Sequence, residues 1–266
     1  MRVADLDRDM SDVIPTGMGV DSQILFARMT GLSLALAEAG PGRRVLDVAS
    51  GPGADALALA ERGATAVGVE PSSRMLGLAR LLAADRRGTP PAAYVQAWSD
   101  GLPFADASFD AVLCKGSLDH FDRPDEAIAE MARVARPAGR VVLAIANFES
   151  ATCRLARALD ALREGWLGVP VRPGRRMYDV PSDHFTRYDV PLVREHAGRS
   201  LVLERLVGVS LGWGFPGWAR ALGRLPGPLA RALVQALDVG VRRLPDWADV
   251  VVLVGRPRRR SASTSR

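Results

Sequence analysis

The sequence predicts an α/β fold, a doubly wound parallel sheet with helices on both faces. Two observations carry this. The stretch VLDVASGPGADALALA, Val45–Ala60, passes from an apolar strand through Gly51-Pro52-Gly53 straight into a helical apolar pattern. Strand, glycine turn and helix in that order present bare backbone N–H groups to a nucleotide-like ligand. The later strand-like runs are apolar on both faces and alternate with helical segments, as buried parallel strands do. A chain of 266 residues without a linker-like stretch is read as one domain over 1–255. It has an N-terminal helical cover (1–40), lid-like insertions (149–198 and 211–244) and a disordered Arg-rich tail (256–266).

Residues 21–39 read as a helix with Asp21 as N-cap, ended by Gly40-Pro41-Gly42. The first strand is Arg44–Ala49 and the next helix Ala54–Arg62. A second strand, Ala66–Glu70, leads to a helix opened by Ser72 or Ser73 and running to Asp85. After a loop at Arg86–Pro91 come a short strand, Ala93–Ala97, and a fourth, Asp110–Lys115. A helix over Pro124–Arg136 turns at Pro137-Ala138-Gly139 into a fifth strand, Arg140–Ala146. The second half is less regular: a helix at Glu149–Glu164, a loop at Gly165–Ser182, and a helix at Val190–Gly198 capped by Asp189. A sixth strand at Leu201–Val209, a helix at Pro228–Leu244 and a last strand at Asp249–Val254 follow. In the Pro228–Leu244 helix, Leu229, Leu233, Leu237 and Val241 share one face. Arg231, Arg242 and Arg243 lie toward its polar side, which suits packing on the sheet or, less readily, a membrane surface.

The net charge of +5 is a property of the tail: the last eleven residues hold five arginines and no acid, and the rest is neutral. That disfavours a nucleic-acid partner. Cys114 and Cys153 sit in apolar surroundings, and no Cys or His cluster has metal spacing, so neither disulfide nor metal is expected. The charged start MRVADLDRDM has no signal-like apolar core, and the apolar runs are strand-length. The expectation is a cytoplasmic protein without stable membrane insertion; the oligomeric state stays open.

GPGADA satisfies the G-x-G-x-x-A form of the dinucleotide fingerprint, which keeps an NAD-dependent oxidoreductase in play. Two acids point elsewhere. Asp47 stands just before the turn, where that fingerprint wants apolar residues, and Glu70 ends the second strand, where a carboxylate accepts from both ribose hydroxyls. The ordered set VLDVASGPG, VGVEPSSRML, LPFADASFDAVLC and EMARVARPAGRVVLA resembles the class I S-adenosylmethionine-dependent methyltransferases. Within them it is most similar to the small-molecule branch that includes quinone-biosynthesis C-methyltransferases. The resemblance covers residues 40–148. It implies a seven-stranded sheet whose last strand, here Asp249–Val254, is antiparallel, and S-adenosyl-L-methionine as cofactor.

By that resemblance the backbone of Ala49, Ser50, Gly51 and Gly53 wraps the methionine part and ribose. Asp47 orders the loop and meets the ammonium, Glu70 holds the ribose, and Pro71 and Met75 pack on adenine. Lys115 and Gly116 lie beside the methionine moiety. Trp98, followed by Ser99, departs from the pattern: an acid usually stands there, and an indole only donates. Either backbone and Asp100 read the adenine edge, or Trp98 stacks on the ring, or it simply packs.

Methyl transfer from a sulfonium is an in-line displacement, so the protein mainly aligns donor and acceptor and excludes water. A base is needed only where the acceptor carries a proton. Asp119 and His120 in SLDHF follow the fourth strand at the cofactor edge and are candidates, against a capping or packing role. SDHFTRYD offers Asp183, His184, Arg187 and Tyr188, with His184 and Tyr188 as further candidates, against a loop anchor. LGWGFPGW, Leu211–Trp218, is a lid or wall for an apolar acceptor or ordinary core. The functional expectation is methyl transfer to O, N or C of a small, apolar or aromatic molecule. The competing expectations are the oxidoreductase and a cofactor-binding protein of the same fold without transfer.

Overall fold

The computed structural model describes residues 19–86, 91–170, 176–179 and 184–258. The start of the chain, Asp183, part of the 165–182 loop and residues 259–266 of the tail lie outside them. The strands are β1 (Arg44–Val48), β2 (Thr65–Val69), β3 (Ala93–Val95), β4 (Phe109–Lys115), β5 (Ala135–Ala146), β6 (Leu201–Val209) and β7 (Val250–Pro257). They form one seven-stranded sheet in the order β3-β2-β1-β4-β5-β7-β6. β1 to β5 pair in parallel, and β7 inserts antiparallel between β5 and β6. The winding reverses between β1 and β4, which opens a crevice at their carboxyl ends.

The helices are α1 (Val20–Leu36), α2 (Ala54–Glu61), α3 (Ser73–Asp85), α4 (Pro124–Val134), α5 (Ala151–Leu167), α6 (Val190–Ser200), α7 (Trp218–Leu222) and α8 (Gly227–Val241). Successive strand residues point to opposite faces, and both faces are covered. Val45, Ala111, Leu113, Val142 and Val252 pack with Leu25 and Met29 of α1 and Leu59 of α2. Leu46, Val112, Leu143 and Leu253 pack with Ile128 and Met131 of α4 and Val193 of α6. This double burial is why the strands read as unbroken apolar runs.

Several local expectations are corrected. Gly19 is the N-cap of α1, and Asp21 lies in the first turn, buried. β5 begins at Ala135, before the predicted turn: Phe109 pairs with Ala135 and Ala111 with Arg140, so residues 136–139 form a bulge within the strand. Gly139 permits it, since a Cβ there would stand 2.9 Å from both the Arg136 and Asp110 carbonyls. In α8 the buried face is Ala230, Val234, Asp238 and Val241, while Leu229 and Leu233 are exposed. The buried Asp238 carboxylate sets that rotation: it accepts from Arg28 Nε at 3.0 Å and from the Ser210 N–H at 3.2 Å. α7 was not anticipated. The expected tail starts too early, because β7 reaches Pro257, Arg256 pairs with Glu204, and the Arg258 N–H donates to the Ser200 carbonyl at 2.8 Å. No helix among the described residues is long and apolar enough to cross a membrane.

Candidate cofactor and acceptor site

β1 delivers Asp47 to the crevice, and the chain beyond it winds tightly. Ala49, Gly51 and Gly53 all take positive φ (56°, 51° and 81°). The Ser50 N–H donates to the Val69 carbonyl at 2.9 Å, which stitches the loop to the end of β2. Gly53 precedes the first residue of α2; a Cβ there would meet the Tyr94 hydroxyl at 2.6 Å. Gly68, inside β2, makes the same kind of room, for its Cβ would stand 2.8 Å from Ser50 Oγ. Tyr94 and Gly68 escaped the sequence reading. The available signal was the glycine inside a strand, which marks a close backbone approach.

Glu70 follows β2 with its carboxylate turned inward. Oε2 accepts the Gly51 N–H at 3.0 Å and Oε1 the Ser72 N–H at 3.1 Å. Ser72 caps α3 by accepting the Met75 N–H at 3.1 Å, and Met75 is buried in the first turn of that helix. The Pro71 carbonyl accepts from Gln96 Nε2 at 2.9 Å. Trp98 and Ser99 are half-buried in the loop after β3. Asp100, expected as a possible adenine acceptor, pairs through Oδ2 with Arg123 at 2.6 Å. The LPF segment is bolted from below: Arg133 donates to the Leu102 and Phe104 carbonyls at 3.0 and 2.8 Å, and Glu130 accepts the Leu102 N–H at 2.9 Å.

Asp47 is only 2 % exposed, and its Oδ2 has no hydrogen-bond partner. Burial, reinforced by the neighbouring Asp55 carboxylate, pushes its carboxyl well above the usual range; Lys115 and the Ala56 N–H pull the other way. Lys115 ends β4, and its ammonium is engaged by Asp55 at 2.6 Å and by Thr30 of α1 at 2.6 Å. It is thus a strut that fixes α1 and α2 against the loop. Gly116 takes φ 67°, and a Cβ there would meet no atom within 4 Å.

The acceptor candidates divide. Asp119 and His120 form a 3-10 turn at Leu118–His120, after β4. The Asp119 carbonyl accepts the Phe185 and Thr186 N–H groups at 2.8 and 3.2 Å, which draws the 184–186 segment onto this turn. His184 Nε2 consequently lies 3.2 Å from His120 Nε2 and 3.5 Å from Asp119 Oδ2. Linear spacing concealed this cluster, because the two histidines are 64 residues apart. Tyr188 does not join it. Its ring is fully buried against α6, and its hydroxyl meets His196 Nδ1 at 3.0 Å, so it is a packing residue. Arg187 reaches Glu149, which also binds Arg157.

LGWGFPGW also divides. Trp213 turns inward, its indole donating to Ser22 Oγ at 3.1 Å and meeting Phe26 edge-on. Phe215 and Pro216 face α5 across an apolar cleft of about 600 Å³, whose other wall carries Leu159, Leu162 and Trp166.

Residues 46–143 match the family model described as "Methyltransferase domain". A demethylmenaquinone methyltransferase of Renibacterium salmoninarum is 39% identical over 104 residues, which cover 39% of this chain and 41% of that protein. The match thus spans about two-fifths of the length of such curated relatives. Among solved structures, magnesium protoporphyrin IX methyltransferase (ChlM) from Synechocystis PCC 6803, with bound SAH, superposes with TM-score 0.60 at 16% identity, over 90% of this chain and 86% of that one. The [4+2]-cyclase SpnF superposes with TM-score 0.58 at 19% identity, over 86% and 80% respectively. Likeness at these identities shows the fold.

Proposed function

We propose, from the premise that residues 46–143 form a methyltransferase domain, that the chain transfers a methyl group from S-adenosyl-L-methionine to a small, apolar or aromatic acceptor. The observation that carries the reading is the pair of buried acids at the switch point. Asp47 holds a carboxylate oxygen with no hydrogen-bond partner at the mouth of a loop of left-handed residues, with open space above Gly51 and Gly116. An anionic oxygen buried without a partner is costly and suits a cationic ligand group. Glu70 stands at the end of β2 with its carboxylate on the glycine turn, where an acid accepts from ribose hydroxyls. The residues present therefore fit the cofactor.

When bound, S-adenosyl-L-methionine supplies a methyl group on a sulfonium, activated for displacement. The protein's part is placement. Asp47 takes the ammonium, the 49–53 backbone and Glu70 take the ribose, and Met75 and Pro71 close on the adenine. Trp98 and Ser99 border the same pocket. Gly116 leaves the path from β4 toward the acceptor clear. Asp119, His120 and His184 receive the acceptor's nucleophilic group and handle its proton where it carries one. The cleft between α5 and Phe215 receives the acceptor's apolar part.

Calorimetry tests the reading. S-adenosylmethionine and its demethylated product should bind in the micromolar range; binding of neither sinks it. Binding of NAD instead would promote the oxidoreductase reading that GPGADA alone supports. A protein that holds the cofactor and transfers nothing is the second reading, favoured by Trp98 in place of an acid. Transfer of labelled methyl to any metabolite of a cell extract would eliminate it.

A further inference from the structure

The Asp119–His120–His184 cluster has a property that proton handling alone does not require. Both histidines aim the same ring nitrogen, Nε2, at one point. Their Nε2 atoms are 3.2 Å apart, and His184 Nε2 stands 3.5 Å from Asp119 Oδ2. Two ligands held at about 2.0–2.1 Å around one tetrahedral ion are separated by about 3.3–3.4 Å. Those two edges of the triangle therefore have the size of a coordination polyhedron. The distance from His120 to the carboxylate is longer, 4.0 Å from Nε2 to the other oxygen, Oδ1, and one ligand atom from each of the three residues lies within 4.8 Å of the others. This longer distance involves His120, which is the most exposed of the three side chains.

The support around the cluster is rigid. The Asp119 side chain is almost wholly buried, and its Oδ1 has no hydrogen-bond partner. The Asp119 carbonyl clamps the 184–186 segment through two backbone bonds, and Phe148 packs edge-on against the His184 ring. Between two neutral imidazoles only one proton can lie on the Nε2–Nε2 line. An ion at the focus would use all three groups at once.

We propose that Asp119, His120 and His184 form a binding site for a divalent transition-metal ion of the Zn²⁺ class. Two imidazole nitrogens and one carboxylate oxygen are the donor set of catalytic zinc sites, which keep an open position for water or substrate. His120, the exposed member, marks the solvent side on which that position opens. If the methyl-transfer reading holds, the open position takes an oxygen of the acceptor, which restricts the acceptor to hydroxyl, phenol or enol compounds.

The chain contains three histidines, so the third supplies an internal control: His196 is paired with Tyr188 and Asp125 away from the cluster. The full-length protein, stripped with chelator, is titrated with Zn²⁺ by calorimetry and with Co²⁺ by visible absorption. One equivalent should bind, with the intense visible bands of four-coordinate cobalt. His184→Ala and Asp119→Asn should each weaken binding at least about tenfold, and His196→Gln should leave it unchanged. Circular dichroism and retained S-adenosylmethionine binding identify variants that remain folded. Should His184→Ala not fold, Asp119→Asn alone decides, since it is isosteric. Absence of stoichiometric binding overturns the proposal. So does binding that survives Asp119→Asn, or that His196→Gln weakens equally. Failure of wild-type protein to bind S-adenosylmethionine overturns the methyl-transfer reading and leaves the metal result standing.

Discussion

Glu70 accepts the backbone N–H of Gly51 at 3.0 Å. This one bond ties the end of β2 to the glycine turn after β1, and it makes the acid proposed to hold the ribose part of the loop's own scaffold. Glu70→Ala should therefore lose both the ribose contacts and the loop's anchor. Hydrogen bonds to a charged group contribute about 1.5–3 kcal/mol each, so S-adenosylmethionine affinity should fall at least about a hundredfold by calorimetry. Wild-type affinity in the variant would remove Glu70 from the site.

Ala49 has φ 56°, a conformation that costs an L-residue about 1–2 kcal/mol and a glycine little. Glycine's greater freedom in the unfolded chain offsets part of that gain. Ala49→Gly should raise stability by about 0.5–1 kcal/mol in chemical denaturation, with an unchanged fold. A loss of stability would mean that the alanine methyl makes packing contacts that outweigh the strain.

Burial raises the Asp47 carboxyl well above its ordinary value. The folded state thus holds this proton more tightly than the unfolded chain does. Asp47 contributes most to stability in acid, below its unfolded value of about 4, and that contribution is lost as the pH rises through the folded value. At neutral pH the buried acid therefore opposes folding. Asp47→Asn should stabilise the protein by roughly 1 kcal/mol at neutral pH, the gain fading in acid, while S-adenosylmethionine binding collapses. A destabilised variant at neutral pH would contradict the direction of the shift.

Gly68 lies inside β2, where a Cβ would approach Ser50 Oγ to 2.8 Å and Tyr94 Cδ1 to 2.9 Å. Gly68→Ala must push the 49–53 loop or the Tyr94 ring. Overpacking of this kind typically costs about 1–3 kcal/mol, and cofactor affinity should fall with it. Thermal melts and calorimetry together check this; an unperturbed variant in both would show that the loop yields freely.

The strands and the glycine turn after β1 were legible because their determinants are local. Unbroken apolar runs, a glycine turn and an acid at a strand end are statements about neighbours in sequence, and β6 falls on the predicted residues. Where a long-range contact decides, the reading failed. The rotation of α8 follows a buried carboxylate bonded to Arg28, 210 residues away, and not the leucine stripe. The bulge in β5 answers to the carbonyl of Asp110 across the strand pair. Tyr188 reads as reactive in SDHFTRYD, yet burial against α6 turns its hydroxyl to His196.

The candidate site divides along the same line. Asp47, the 49–53 turn and Glu70 sit at the ends of adjacent strands, so the order of the motifs was enough to bring them together. The acceptor side is different. His120 and His184 come from segments with no local reason to meet, and they converge because the Asp119 carbonyl captures two N–H groups of residues 185 and 186. Backbone periodicity encodes where a sheet places its edge. Which distant side chains share a point on that edge is decided by packing and by hydrogen bonds that form only once the chain is folded.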